Sequence, residues 1–129
     1  MNHAAAADVY RRSAVENAPP IKVVRLLYEG ALRFLAKARE FNPKDPRSQF
    51  VDYTSRADAI VTELRAALDH SLNDEVTDNL EQLYLFCSSE LSKALIQRTA
   101  DPLPGVERVL RTLLEGWQHV EAETTRTAR

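Results

Sequence analysis

Glycine is scarce in this chain of 129 residues, at three, and cysteine occurs once, at Cys87. Three scattered glycines cannot build a phosphate-cradling loop, which excludes the common nucleotide-binding motifs. A single thiol cannot form an internal disulfide, so the chain folds without covalent staples, as suits a reducing compartment. No apolar run approaches the length that crosses a bilayer. The opening MNHAAAADVYRR has neither the basic start nor the apolar stretch of a secretory signal. A cytoplasmic location without membrane insertion is therefore expected. One-signed charge is also missing: 17 Lys and Arg stand against 19 Asp and Glu, for a net charge of -2, with no basic stripe. Nucleic acid is accordingly not expected as a partner.

What is present is ordinary for a single soluble domain, with 44% apolar and 28% charged residues. The length is sufficient to bury a core. The prolines fall in three pairs, Pro19 with Pro20, Pro43 with Pro46 and Pro102 with Pro104. Proline lacks an N–H and its ring clashes with the preceding turn, so these pairs mark breaks between long helix-competent segments.

Between the breaks, apolar residues recur every three or four positions, the period of one helical face. A first helix is expected from about Pro20 to Phe41, with Ile21, Val24, Tyr28, Ala31, Leu35 and Ala38 facing inward. Gly30 inside it costs about 1 kcal/mol against alanine, which suggests close approach of another backbone. A second helix is expected from Pro46, capped by Asp45, to about Leu72. Phe50, Ala57, Ile60, Val61, Leu64, Ala67 and Leu68 form its face. Asn73 or Asp74 can cap a third, whose face holds Val76, Leu80, Leu83, Tyr84, Cys87, Leu91, Ala94 and Leu95. Leu85, Phe86 and Ile96 make this helix apolar over more of its circumference than bundle packing needs. A fourth follows Gly105, with Val106, Val109, Leu110, Leu113, Leu114, Trp117 and Val120 inward. Short links make neighbouring helices antiparallel. The expected fold is all-α, an antiparallel up-down four-helix bundle over residues 19–124. A mobile N-terminal arm precedes it (1–18) and a frayed tail follows (125–129).

Catalytic and metal-binding patterns are not found. Di-iron bundles need Glu-x-x-His pairs, and none of His3, His70 and His119 has a glutamate three residues before it. Glu115 and His119 share a helical face but read as a surface charge pair. Cys87 has no histidine at helical spacing to activate it. His70 is the one residue that would suit a phosphotransfer bundle, although no lysine stands near it to steady a phosphoryl group. No catalytic residue, metal or cofactor is expected. A histidine phosphotransfer domain and a generic helical adaptor bundle remain as alternatives to a dedicated binding protein.

Several strings, in order, resemble the flagellin export chaperone (FliS) family. Leu27-Tyr28-Glu29-Gly30-Ala31 is similar to its first-helix Leu-Tyr-Asp-Gly-Ala segment. Tyr10, Val15 and Ala18-Pro19-Pro20 are similar to its N-terminal arm. Glu63-Leu64 with Leu68-Asp69, Asn79-Leu80 with Leu83-Tyr84, and Leu113-Leu114 with Trp117 resemble its second, third and fourth helices. The chain departs from the family at Pro19, where Ser-Pro is usual, and at Leu72-Asn73-Asp74, where Gly-Gly is common. It departs again at Leu95-Ile96 in place of an Ala-Asn pair.

The resemblance implies a chaperone that holds the disordered C-terminal segment of flagellin in the cytoplasm. It would prevent premature polymerisation and aid delivery to the flagellar type III export apparatus. On that footing the expected groove is formed by Ile60, Leu64, Leu68, Leu80, Leu83, Tyr84 and Cys87. Tyr10 and Val15 of the arm would cover it until flagellin arrives. A weak homodimer of the free chain is compatible with the sequence.

Overall fold

The computed structural model describes residues 21–72 and 75–127. Four α-helices run through them: α1 (Ile21–Ala38), α2 (Phe50–Ala66), α3 (Glu75–Gln97) and α4 (Leu103–Thr127). A short 3₁₀ turn, His70–Leu72, lies between α2 and α3. There is no strand among the described residues. Each helix packs on the next and α4 returns to α1, so the four close into an antiparallel up-down bundle. The α1–α2 pair is in the most extensive contact and α3–α4 in the least.

The inward faces are those of the three-four pattern. Val24, Tyr28, Ala31 and Leu35 of α1, Phe50, Ala57, Val61 and Leu64 of α2, Leu80, Tyr84, Cys87 and Leu91 of α3, and Val106 and Leu110 of α4 are all fully buried. At the centre, Tyr28 and Tyr84 share a hydroxyl–hydroxyl hydrogen bond. Their helices, α1 and α3, are not neighbours but face each other across the bundle, so this bond spans its diagonal. Trp117 of α4 lies 6.2 Å from the Tyr28 ring, centroid to centroid. On the α1–α2 flank a second aromatic group joins Phe34, Phe41 and Tyr53. Phe41 stacks on Tyr53 at 5.8 Å, and the Arg56 guanidinium lies 5.8 Å over Phe34.

Boundaries shift from expectation where polar side chains capture the backbone. The α2 helix starts at Phe50, not Pro46. Asn42 Oδ1 accepts from the Lys44 N–H and Asp45 Oδ1 from the Arg47 N–H, both at 2.9 Å. Ser48 Oγ donates to the Asn42 carbonyl at 2.7 Å. These local bonds offer the chain a turn in place of a helical start, so Asp45 holds a turn rather than capping a helix. At the other end, α2 stops at Ala66, short of Leu72. Asp69 Oδ1 accepts from the Ser71 backbone and hydroxyl there. The α4 helix begins at Leu103, with Pro104 in its first turn, where a missing N–H costs nothing.

The α3 helix ends on Arg98 in the left-handed region, φ 52°, and the Thr99 N–H reaches back to the Ala94 carbonyl. This is the helix-ending arrangement that glycine usually occupies. The proposed caps Asn73 and Asp74, and the arm residues Tyr10 and Val15, lie outside the described residues.

Gly30 also differs from expectation. No backbone opposes it: a Cβ there would meet the tip of Ile60 at 3.4 Å and the end of Arg33 at 3.6 Å. What faces Gly30 is a flexible side chain, so Gly30→Ala should fit and recover helix propensity. We expect it to stabilise the fold by up to about 1 kcal/mol in urea unfolding. The central tyrosines give a second expectation. Tyr28→Phe and Tyr84→Phe should each cost about 1–3 kcal/mol, because each removes the bond between two buried hydroxyls. The double variant should lose less than the sum, and a double-mutant cycle measures that coupling.

Candidate functional site

Of the seven residues expected to line a groove, five are core side chains. Leu64, Leu80, Tyr84 and Cys87 have no exposed surface and Leu68 has 5%. Ile60 and Leu83 are half-buried and reach the outside. They do so on different flanks. Ile60 lies beside Gly30 on the α1–α2 side. Leu83 lies on the opposite side of α3 from Glu81, which binds Arg65 of α2 at 3.2 Å. Leu83 therefore belongs to the flank of α3 that turns toward α4, the loosest seam of the bundle. The fold does not bring Ile60 and Leu83 into one trough.

What it does bring together is a shallow hollow of about 510 Å³ along α3, lined by Asn79, Gln82, Leu83 and Phe86. These positions follow the i, i+3, i+4, i+7 spacing of one helical stripe. Phe86 is 46% exposed, a large aromatic surface left in water on a helix whose inner face is already filled. Phe86 is the residue that the sequence reading left out of the groove. Its signal was the surplus breadth of the third helix, which names the helix but not the flank. Val23 and Leu26 on α1, and Leu85 and Ile96 on α3, are further exposed apolar side chains. Scattered ones are normal, but the Leu83–Phe86 stripe is contiguous.

The titratable groups support no catalysis. Burial pushes the Cys87 thiol up to about 12, with the nearby Asp58 and Glu90 carboxylates adding to the effect. Its thiolate, the reactive form, is therefore suppressed. Burial likewise raises the Tyr28 hydroxyl far above the usual phenol range, with hydrogen bonding to Tyr84 and Trp117 opposing. His70 sits on the 3₁₀ turn rather than on a helix, and its Nδ1 is 3.8 Å from Glu81 Oε2. An acidic neighbour is a poor setting for a phosphoryl acceptor. No group of three or more metal-ligating side chains occurs among the described residues. No helix there is long and apolar enough to cross a membrane.

The family model described as "Flagellar protein FliS" matches residues 1–124. The chain belongs to the FliS family. It is 32% identical over 125 residues to the flagellar secretion chaperone FliS of Campylobacter jejuni, covering 97% of this chain and 98% of that protein. It is 29% identical over 120 residues to the flagellar secretion chaperone FliS of Salmonella typhimurium, covering 92% and 89%. The corresponding Escherichia coli protein is 28% identical over 113 residues, covering 87% and 83%. The family is one of flagellar secretion chaperones, not of enzymes. An all-helical bundle with an apolar stripe on its surface and a suppressed thiol fits that membership.

The raised Cys87 pKa makes stability depend on pH. An unfolded thiol ionises near 9, whereas the folded one stays protonated up to about 12. Above pH 9 the unfolded state binds fewer protons, so stability falls as pH rises. Relative to Cys87→Ala, the native chain should lose stability with a slope approaching about 1.4 kcal/mol per pH unit. Urea unfolding of both proteins between neutral and alkaline pH measures this difference, and the two should run parallel below pH 8.

Proposed function

We propose that this protein binds the disordered C-terminal segment of flagellin in the cytoplasm, prevents its premature polymerisation and aids its delivery to the flagellar type III export apparatus. The observation that carries this reading is the Leu83–Phe86 stripe with its hollow on α3. A segment that folds on binding loses conformational entropy and needs apolar area in return. An amphipathic helix laid along such a stripe buries its own apolar face at the i, i+3, i+4 positions. The loose α3–α4 seam supports the reading as well, because a guest can seat there without breaking the tighter α1–α2 packing.

In this reading the seven expected groove residues divide. Leu83 touches the guest directly, and Ile60 offers a separate contact on the other flank. Leu64, Leu68, Leu80, Tyr84 and Cys87 support the surface from beneath. Tyr10 and Val15 would serve as a displaceable cover, an idea that hydrogen exchange on the free and loaded protein can test.

Calorimetric titration with the flagellin C-terminal peptide should give a negative heat-capacity change, the mark of apolar burial. Phe86→Asp should weaken that binding about tenfold or more and leave helical circular dichroism intact, since the side chain is already half in water. Leu64→Asp should instead unfold the protein, because it buries an unpaired charge at about 3–5 kcal/mol. Full peptide affinity in Phe86→Asp would remove the stripe from the binding surface.

A further inference from the structure

A second surface lies on the α1–α4 side of the bundle, built from charge rather than apolar area. Here a cleft of about 370 Å³ runs along the first turns of α4 and is closed by Arg39, just past the end of α1. At its base lies Glu107, only 6% exposed. Glu107 Oε1 is 3.2 Å from Arg39 Nη1, and Oε2 is 4.0 Å from Arg111 Nη2. Arg108 lines the same cleft, is exposed, and makes no ion pair among the described residues.

The arrangement has a consequence beyond stability. A buried carboxylate must be paired, and Glu107 has the Arg39 guanidinium, from just past the end of α1, close at hand and the Arg111 guanidinium of its own helix farther off. Each guanidinium carries five donors in a planar fork, and one ion pair leaves most of them unused. Arg39 and Arg111 are about half exposed, so those donors face water. Counting both lining carboxylates, Glu107 and Glu115, the three guanidiniums leave the cleft with a surplus of one positive charge. This local cation surplus runs against the net charge of -2 of the whole chain. An arginine already held, as Arg39 is by Glu107, binds a further carboxylate with less loss of rotamer freedom, and Arg108 and Arg111 beside it add donors and positive charge.

We propose that this cleft docks an acidic, carboxylate-rich segment of a second protein, apart from the apolar stripe on α3. The partner is defined by its charge, and the contact is electrostatic, so it forms quickly and weakens with salt. A chaperone with two such surfaces can hold an apolar guest on one while an acidic partner engages the other.

The test is titration of the full-length, isotope-labelled chain with a hexaglutamate peptide, following the arginine side-chain N–H signals by NMR. Saturable shifts at Arg39, Arg108 and Arg111, lost by about 0.5 M sodium chloride, are expected. Arg108→Glu should weaken peptide binding about tenfold or more, with helical circular dichroism and flagellin-peptide affinity unchanged. The proposal is overturned if the peptide gives no shifts there, or if Arg108→Glu binds it equally well. It is also overturned if inorganic phosphate competes on equal terms, which would make the cleft a small-anion site. Parallel loss of flagellin-peptide binding in Arg108→Glu would overturn it too, by making the cleft part of the guest surface. Failure of flagellin binding in the native chain alone would leave the acidic-peptide result standing.

Discussion

The bundle depends on the bond between the Tyr28 and Tyr84 hydroxyls at its centre. Neither oxygen can reach water, and an unpaired buried hydroxyl is costly, so each helix must present its tyrosine at the level of the other. That condition sets the axial register of α1 against α3, two helices that share no flank. Apolar packing alone tolerates sliding, whereas a paired polar group does not. Trp117 of α4 joins the same level, so three of the four helices are aligned at one layer.

Around that layer the packing is uneven. The aromatic group of Phe34, Phe41 and Tyr53, with Arg56 over it, holds α1 to α2. The ion pair between Arg39 and Glu107 ties the end of α1 to α4. The α3–α4 seam is the loosest contact of the ring. The exposed apolar stripe lies on the α3 flank that turns toward this seam. A rigid three-sided frame with one permissive edge can take up a guest without losing its own register.

Much of the fold was legible from residue spacing. The proline pairs marked the links, and the three-four recurrence placed Val24, Leu35, Val61, Leu91 and Leu110 on inner faces, where they are buried. Boundaries were less legible, because Asn42, Asp45, Ser48 and Asp69 bind nearby backbone in ways that helical periodicity does not record. The surface was the least legible. An apolar residue on a helix reads the same whether it faces a neighbour or water. Leu64 and Leu83 look alike in the sequence, yet one is fully buried and the other half-exposed. Phe86, adjacent to the inner face, was visible only as surplus.

The sequence alone determined the four helices of the described residues, their inward faces, the absence of catalytic patterning and, through ordered short strings, the resemblance to a chaperone family. Those properties rest on local period and residue type, which a chain carries whatever its neighbours are. The tertiary structure decided which apolar residues remain outside, that Tyr28 meets Tyr84, and that Glu107 of α4 pairs with Arg39 just past the end of α1. Each of these is a relation between segments far apart in the chain, and its energy exists only once the helices are packed.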